Sequence, residues 1–196
     1  MSRAFVLGNG TSRRTIKLDN LKEYATVYGC NAIYREFTPD YLIAVDTKMI
    51  LEISRHNAQN QNNVWTNKNK AYNAIQNLNY FNPSKGWSSG PTALWKASQD
   101  GHDEIYILGF DYKGIGDNHN TVNNVYAGTL NYKRKDERAT FFGNWLKQTI
   151  ITLQNNPKKR YIRVIDENGF IPKELSNIEH LSHITVQDFK EKFDFS

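Results

Sequence analysis

The stretch that most constrains the fold is a run of apolar residues near the start of the chain that ends in two glycines. Ala4 to Leu7 are all apolar, and Gly8-Asn9-Gly10-Thr11-Ser12 follows them directly. An unbroken apolar run predicts a strand buried on both faces, as in a parallel sheet. The glycines allow a sharp turn and close approach of a ligand, and Thr11 and Ser12 are good helix N-cap residues. Free N–H groups at such a turn suit a phosphate, although a tight turn without a ligand fits equally well because neither GxGxxG nor a Walker A motif is complete.

Alternating strand and helix patterns follow this opening. Apolar runs predict strands at residues 24–28, 41–45, 64–65, 105–108, 161–165 and 184–186. Apolar residues at helical spacing predict helices that begin at Thr47 and at Ser89, a long helix over residues 135–155, and short helices near residues 16–21 and 171–178. This alternation indicates a parallel sheet. We therefore predict a single-domain α/β protein over residues 1–196, Rossmann-like, with a mostly parallel sheet and helices on both faces.

Two segments fit this alternation poorly. Residues 57–86 contain ten asparagines, and we interpret them as an insertion or a lid, with aromatic residues that favour partial packing. Residues 114–130 are rich in glycine and asparagine and predict an irregular loop, of the kind that is either a functional lid or disordered.

Polar residues follow several of the predicted strands. Asn31, Asp46 and Asp111 each come at or just after the end of an apolar run, and open α/β sheets bind their ligands at the carboxyl ends of their strands. Ser88-Ser89-Gly90 begins the mid-chain helix and predicts a second nest of N–H groups that faces the first loop.

Composition limits the classes of function. The net charge of +5 favours polyanionic ligands, but no zinc-ligand pattern, helix-turn-helix signature or RNP-type aromatic pair supports nucleic acid. The single cysteine, Cys30, excludes an internal disulfide framework and a cysteine-based metal site. No apolar stretch is long enough to predict a membrane span, and we expect a cytoplasmic protein. The twenty-three asparagines fit an AT-rich genome, such as that of a phage. The oligomeric state stays open, a homo-oligomer included.

Three blocks of sequence resemble a known superfamily. FVLGNGTS, CNAIY and SSGPTALWKASQDGHDEIYILGFDY are similar to the bacterial sialyltransferases and to related phage and archaeal proteins grouped with hydroxymethylpterin diphosphokinases. The resemblance covers residues 4–46 and 87–113. It implies a nucleotide site whose phosphates lie near Gly8, Asn9, Gly10 and Ser12, with contributions from Asn31, Ser88, Ser89, Gly90 and Asp111. Thr11 in the same loop and Asp46 at a strand end are added to this site from their positions in the sequence. Each of these residues also has a structural interpretation as a turn or cap residue.

The chain departs from the superfamily at chemically important positions. Thr11 replaces the usual proline, and Asp46 stands where the sialyltransferases have asparagine; a carboxylate there suits a magnesium–phosphate site. The sialyltransferases place a histidine base before the long helix, but residues 131–137 contain none. The nearest candidate base is His119. Tyr126 and Tyr132 are the candidates for contacting the leaving phosphate.

These observations leave three hypotheses. The first is a glycosyltransferase-like enzyme that uses a nucleotide-activated sugar, with His119 as base and loop N–H groups and tyrosines around the departing phosphate. The second is phosphoryl or pyrophosphoryl transfer, with Mg²⁺ held by Asp46 and Asp111. The third is a non-catalytic protein that binds or sequesters a nucleotide.

Overall fold

Eight strands form one parallel sheet in the computed structural model, which describes residues 1–194. The strands are β1 (Arg3–Leu7), β2 (Thr26–Cys30), β3 (Tyr41–Ile43), β4 (Val64–Thr66), β5 (Leu78–Tyr80), β6 (Glu104–Leu108), β7 (Arg160–Ile165) and β8 (Leu181–Thr185). Their order across the sheet is β5-β4-β3-β2-β1-β6-β7-β8, and every neighbouring pair is parallel.

The order of the strands reverses between β1 and β6. From β1 the chain adds β2, β3, β4 and β5 on one side, and then crosses back to place β6 on the other side of β1. Such a switch point leaves a crevice at the carboxyl ends of the two central strands, because the connections from them leave toward opposite faces. The sheet has the winding of a doubly wound α/β domain, with two additional strands beyond β3.

Helices cover both faces of the sheet. The four α-helices of residues 1–194 are α1 (Thr47–Arg55), α2 (Ser89–Gln99), α3 (Gly143–Gln154) and α4 (Val186–Lys192). One apolar core joins α1 and α4 to Phe5 and Leu7 of β1. The other joins α2 and α3 to Ala4 and Val6 of the same strand. Alternate residues of β1 therefore serve opposite cores, which explains its unbroken apolar sequence. The predicted fold class is confirmed.

Several predicted boundaries are wrong. Residues 11–25 form separate 3₁₀ turns at Thr11–Arg13 and Leu21–Glu23 in place of a short α-helix, and Lys173–Leu175 is likewise a 3₁₀ turn. β2 begins two residues later than predicted and β8 begins three residues earlier. The long helix begins at Gly143 and not at Lys135, since residues 135–142 bond to the preceding loop: the Ala139 N–H donates to the Asn120 carbonyl at 2.6 Å.

The asparagine-rich segment 57–86 extends the sheet. It contributes β4, which was predicted, and β5, which was not, and β5 pairs with β4 at the edge. Asparagine side chains stabilise this edge; for example, Asn79 Nδ2 donates to the Val64 carbonyl at 3.1 Å. Residues 114–130 are irregular, as predicted, apart from an isolated bridge between Ile115 and Thr121. Among the described helices, none combines the length and apolar character that a membrane crossing requires.

Candidate functional site

A cavity of about 640 Å³ lies at the carboxyl edge of the sheet, where the loops after β1, β2, β3 and β6 meet. Ten of the residues singled out in the sequence line this cavity: Gly8, Asn9, Gly10, Asn31, Asp46, Ser88, Ser89, Gly90, Asp111 and Tyr132. Four others are not part of the described lining: Thr11, Ser12, His119 and Tyr126. The turn that holds Asn9 and the helix start that holds Ser89 therefore border one space.

The loops after β1 and β6 cross in close contact at the switch point. The Gly8 N–H donates to the Leu108 carbonyl at 2.8 Å, and the Gly10 N–H donates to the Gly109 carbonyl at 2.9 Å. A Cβ atom on Gly10 would lie 2.7 Å from the Gly109 oxygen, which is too close for any side chain. Glycine is required at this crossing because the two backbones touch.

The expectation of free N–H groups at this turn is largely wrong. The N–H groups of Gly8 and Gly10 donate to backbone carbonyls at the carboxyl end of β6, as described above. The Thr11 N–H donates to Asn123 Oδ1 at 2.7 Å, and the Ser12 N–H donates to Asp111 Oδ2 at 3.1 Å. These N–H groups are bonded to acceptors of the protein and are not free to bind a phosphate. The loop forms a wall of the cavity.

Arg13 braces the glycine loop from behind. Its side chain is buried, Nε donates to the Gly8 carbonyl at 2.7 Å, and Nη2 donates to Asn9 Oδ1 at 3.3 Å. The same Nη2 reaches Glu36 at 3.2 Å and the Tyr126 hydroxyl at 3.0 Å. Arg13 was not among the residues singled out in the sequence. Its position directly after a glycine turn was the available signal.

Tyr126 belongs to this brace and not to the ligand surface. Its hydroxyl donates to Glu36 and receives the hydrogen bond from Arg13. Burial raises the pKa of Tyr126 far above its ordinary value; the Arg13 charge lowers it in part, and Glu36 raises it again. To contact a departing phosphate, the Tyr126 hydroxyl would have to break its hydrogen bonds with Glu36 and Arg13.

The opposite wall is the start of α2. Ser88 is the N-cap of this helix, and its N–H donates to Gln148 Oε1 of α3 at 3.0 Å. Ser89 is buried, and its hydroxyl accepts a hydrogen bond from the Val45 N–H at 3.1 Å. These contacts fix the end of α2 at the rim of the sheet, so that its first turn borders the cavity.

The loops after β2 and β3 form the third wall. Asn31 has a left-handed backbone (φ +55°), and its buried Oδ1 atom has no hydrogen-bond partner in the described residues. The Tyr132 hydroxyl accepts a hydrogen bond from the Ala32 N–H at 3.3 Å, and burial raises the pKa of Tyr132. Cys30 also lines the cavity, but burial raises the pKa of its thiol to about 12, so it is not a thiolate nucleophile near neutral pH.

The carboxylates of the site differ in their surroundings. Both oxygens of Asp111 accept hydrogen bonds from Ser12. Asp46, the N-cap of α1, is exposed, and its side chain makes no cap hydrogen bond. Residues 1–194 contain no group of three or more His, Cys, Asp or Glu side chains placed to hold a metal ion. The described residues therefore do not fit a magnesium site made by the protein alone.

His119 is outside the described lining of the cavity. It is exposed, has a left-handed backbone (φ +51°) and sits in the turn between Ile115 and Thr121. No histidine is among the described residues that line the cavity. The His119 carbonyl packs against Gly114, which lines the cavity, but His119 itself is not part of the described lining.

The lining includes residues that the sequence interpretation did not select. Trp87, Phe142 and Trp145 supply aromatic rings, and Lys113 and Lys133 supply positive charge. Phe142 and Trp145 belong to the region that was predicted as one continuous helix, whereas α3 begins at Gly143 and Phe142 is its N-cap.

Comparisons of the chain with protein families, with curated proteins and with solved structures found no match in any of the three.

Proposed function

We propose that the cavity binds a nucleotide-activated sugar and that the protein transfers this sugar to a hydroxyl group of an acceptor. The observation that carries the proposal is the position of the cavity at the switch point between β1 and β6, where doubly wound sheets bind nucleotides. The glycine loop forms one wall of the cavity and the start of α2 forms the opposite wall.

The N-terminus of α2 is the proposed phosphate site. Ser89 and Gly90 are the first two residues of this helix and both line the cavity. The first N–H groups of a helix have no acceptor within the helix, and the helix dipole favours negative charge at this end. Lys113 and Lys133 also belong to the lining, where Lys113 Nζ lies over the Phe170 ring and Lys133 Nζ donates to the Arg138 carbonyl. These groups would stabilise the charge that develops on a departing phosphate.

The other walls suit a base and a sugar. Trp87, Phe142 and Trp145 offer ring faces for stacking. The unpartnered Oδ1 atom of Asn31 is a hydrogen-bond acceptor, and a buried acceptor without a partner costs free energy that a ligand donor recovers. A ribose hydroxyl or a base amino group would satisfy it.

The resemblance of the sequence blocks to the sialyltransferases favours a sugar as the transferred unit. Phosphoryl transfer through magnesium between Asp46 and Asp111 is less favoured, because Ser12 already occupies both Asp111 oxygens. A binding protein without transferase activity is the second candidate, and it is favoured by the absence of histidine from the described lining.

A ligand screen tests the nucleotide part of the proposal. Melting temperature and calorimetric affinity are measured with CMP, CDP, UDP, GDP and ATP, each with EDTA and with Mg²⁺. A ligand that binds only the folded state adds about 2.7 kcal/mol of stability at 100 times its Kd. Turnover of the sugar derivative of the best nucleotide then separates a transferase from a binding protein. A native chain that binds none of the five contradicts the proposal.

Ser88→Asp is the discriminating variant. Ser88 is the N-cap of α2 without a side-chain cap bond, and aspartate caps a helix as well as serine does, so the fold is expected to keep its stability. The new carboxylate stands beside the proposed phosphate site and should weaken nucleotide binding at least tenfold. Ser84→Asp, at an exposed position, is the matched control with the same change of charge. Equal affinities of the two variants would refute the phosphate site.

A further inference from the structure

A second cavity of about 350 Å³ adjoins the first. The first turn of α1 forms one side of it, and four residues line both cavities: Asn31, Asp46, Asn131 and Tyr132. A transfer reaction needs two adjoining spaces, one for the donor and one for the acceptor, with the transferred carbon at their junction. The shared residues mark such a junction.

Asp46 is the carboxylate at this junction. It follows β3 and is the N-cap of α1, with an extended backbone (φ −82°, ψ 130°). Its side chain makes no cap hydrogen bond, and the residue is exposed and lines both spaces. Asp111, in contrast, is held by Ser12. A carboxylate at the boundary of two cavities that makes no cap hydrogen bond within residues 1–194 is available for proton transfer.

The other shared residues cannot accept a proton readily. Asn31 and Asn131 carry amides. Tyr132 is a neutral phenol, because burial raises its pKa, and its oxygen already accepts the Ala32 N–H. His119, the base expected from the resemblance, is exposed in a turn outside both linings.

We propose that the smaller cavity holds a carbohydrate acceptor and that Asp46 is the general base for its hydroxyl group. This inference rests on the proposed function. The acceptor oxygen forms a bond to the anomeric carbon of the donor, and the bond from that carbon to the phosphate oxygen breaks. The electron pair of the broken bond leaves with the nucleotide, and the hydroxyl proton moves to the Asp46 carboxylate. Carboxylates serve as bases of this type in many enzymes.

The lining of the smaller cavity fits a sugar. The amides of Asn31 and Asn131 and the hydroxyl of Thr47 can bond to sugar hydroxyl groups. Asn131 is held in place, since its Nδ2 donates to Glu52 Oε2 of α1 at 2.6 Å. The hydrogen bond to Glu52 therefore fixes one of the side chains proposed to bind the acceptor.

Asp46→Asn tests the base. Turnover is measured with the sugar derivative of the nucleotide that binds best, both with water and with a panel of mono- and oligosaccharides as acceptors, and nucleotide Kd is measured separately. We expect kcat to fall at least about 100-fold, while Kd changes less than about threefold. Asp117→Asn, at an exposed position outside both linings, is the control with expected native turnover. His119→Asn tests the rival base that the resemblance implies.

The outcomes separate this inference from the proposed function. Native turnover in Asp46→Asn with intact nucleotide binding overturns the base alone, as does loss of turnover in His119→Asn. Magnesium-dependent nucleotide binding that disappears in Asp46→Asn makes Asp46 a metal ligand and also overturns it. A native chain that binds nucleotide but turns over no donor overturns both the base and the transferase, and a chain that binds no nucleotide overturns the site.

Thr47→Trp tests the acceptor cavity. Thr47 lines the smaller cavity and not the larger one, so a bulky side chain there should block acceptors and leave the donor in place. We expect the KM for the saccharide acceptor to rise at least tenfold, with donor hydrolysis and nucleotide Kd near native values. An unchanged KM would place the acceptor elsewhere.

Discussion

Ser12 binds both carboxylate oxygens of Asp111. Its hydroxyl donates to Oδ1, and its backbone N–H donates to Oδ2 at 3.1 Å. Ser12 follows β1 and Asp111 follows β6, so this pair joins the two loops at the switch point of the sheet. Both residues were expected to contact a nucleotide directly; Asp111 does line the cavity, whereas Ser12 is not part of the described lining. Their contribution to the site is to hold its central walls together.

Removal of the Ser12 hydroxyl should destabilise the fold. We expect Ser12→Ala to lower the free energy of unfolding by about 1–3 kcal/mol, because a hydrogen bond to a carboxylate is lost at a buried position. Urea denaturation at neutral pH measures the change. The free energy of unfolding of Ser84→Ala, at an exposed position, should stay within about 0.5 kcal/mol of the native value. An equal loss of stability in both variants would contradict a stabilising role of the Ser12–Asp111 hydrogen bonds.

A methyl group at Gly10 should disrupt the crossing of the two loops. Its Cβ would lie 2.7 Å from the Gly109 carbonyl oxygen, and neither backbone can yield without breaking the hydrogen bond between them. We expect Gly10→Ala to cost at least about 2 kcal/mol of stability. Gly86 has open space around its Cα, so Gly86→Ala is the control with little effect. Thermal and urea unfolding of the two variants distinguish them.

The sheet was predictable from the sequence because its central strands are buried on both faces. Residues of β1 and β6 contact two cores, which forces consecutive apolar residues and makes the strands visible without any tertiary information. The edge strand β5 lacked this signal. Only three residues long, it lies in an asparagine-rich segment and depends on its pairing with β4.

The predicted start of the long helix failed for a different reason. Ala139 and Phe142 have the correct spacing to join Leu146 and Leu153 on one apolar face. Apolar residues in a loop can show the same spacing, so the spacing alone does not distinguish a helix from a loop. The Ala139 N–H donates to the Asn120 carbonyl, and the side chain of Phe141, two residues later, is 77% exposed. Long-range contacts of the irregular segment determined this boundary.

The candidate site was predictable in its location and not in its internal bonds. The carboxyl ends of parallel strands meet at one edge, which brought Asn9, Asn31 and Asp46 to one cavity with Ser89. The directions of loop side chains depend on partners more than a hundred residues away, such as the contact between Arg13 and Tyr126. No local pattern encodes such contacts.

Arg13 should be essential to the glycine loop, whereas its neighbour Arg14 should not. Arg13→Met leaves the Gly8 carbonyl and the Asn9 side chain without their donor in a buried setting. We expect a loss of about 2–4 kcal/mol in stability and weaker nucleotide binding, since Asn9 loses its support. Arg14→Met removes the same charge from an exposed position. Similar stability and affinity of the two variants would show that charge alone, and not the brace, matters.

Glu52 connects α1 to the wall of both cavities. It is 1% exposed and accepts hydrogen bonds from Tyr34 at 2.6 Å, from Arg35 at 2.6 and 2.8 Å, and from Asn131 at 2.6 Å. Burial by itself raises the pKa of Glu52, but the hydrogen bonds from these three residues outweigh it, so that the pKa lies below the ordinary 4.5.

The lowered pKa of Glu52 makes stability depend on pH in the acid range. A carboxyl whose pKa is lower in the folded state stabilises the fold above its unfolded pKa, and this contribution is lost as the pH falls below about 4.5 and through the folded pKa. Glu52→Gln should therefore be less stable than the native protein at neutral pH, by about 1–3 kcal/mol, and the difference should shrink on acidification. Urea unfolding from about pH 7 to pH 3 measures it. Exposed Glu23→Gln is the control, and a difference between native and Glu52→Gln that is constant over this range would contradict the role of the ionised carboxylate.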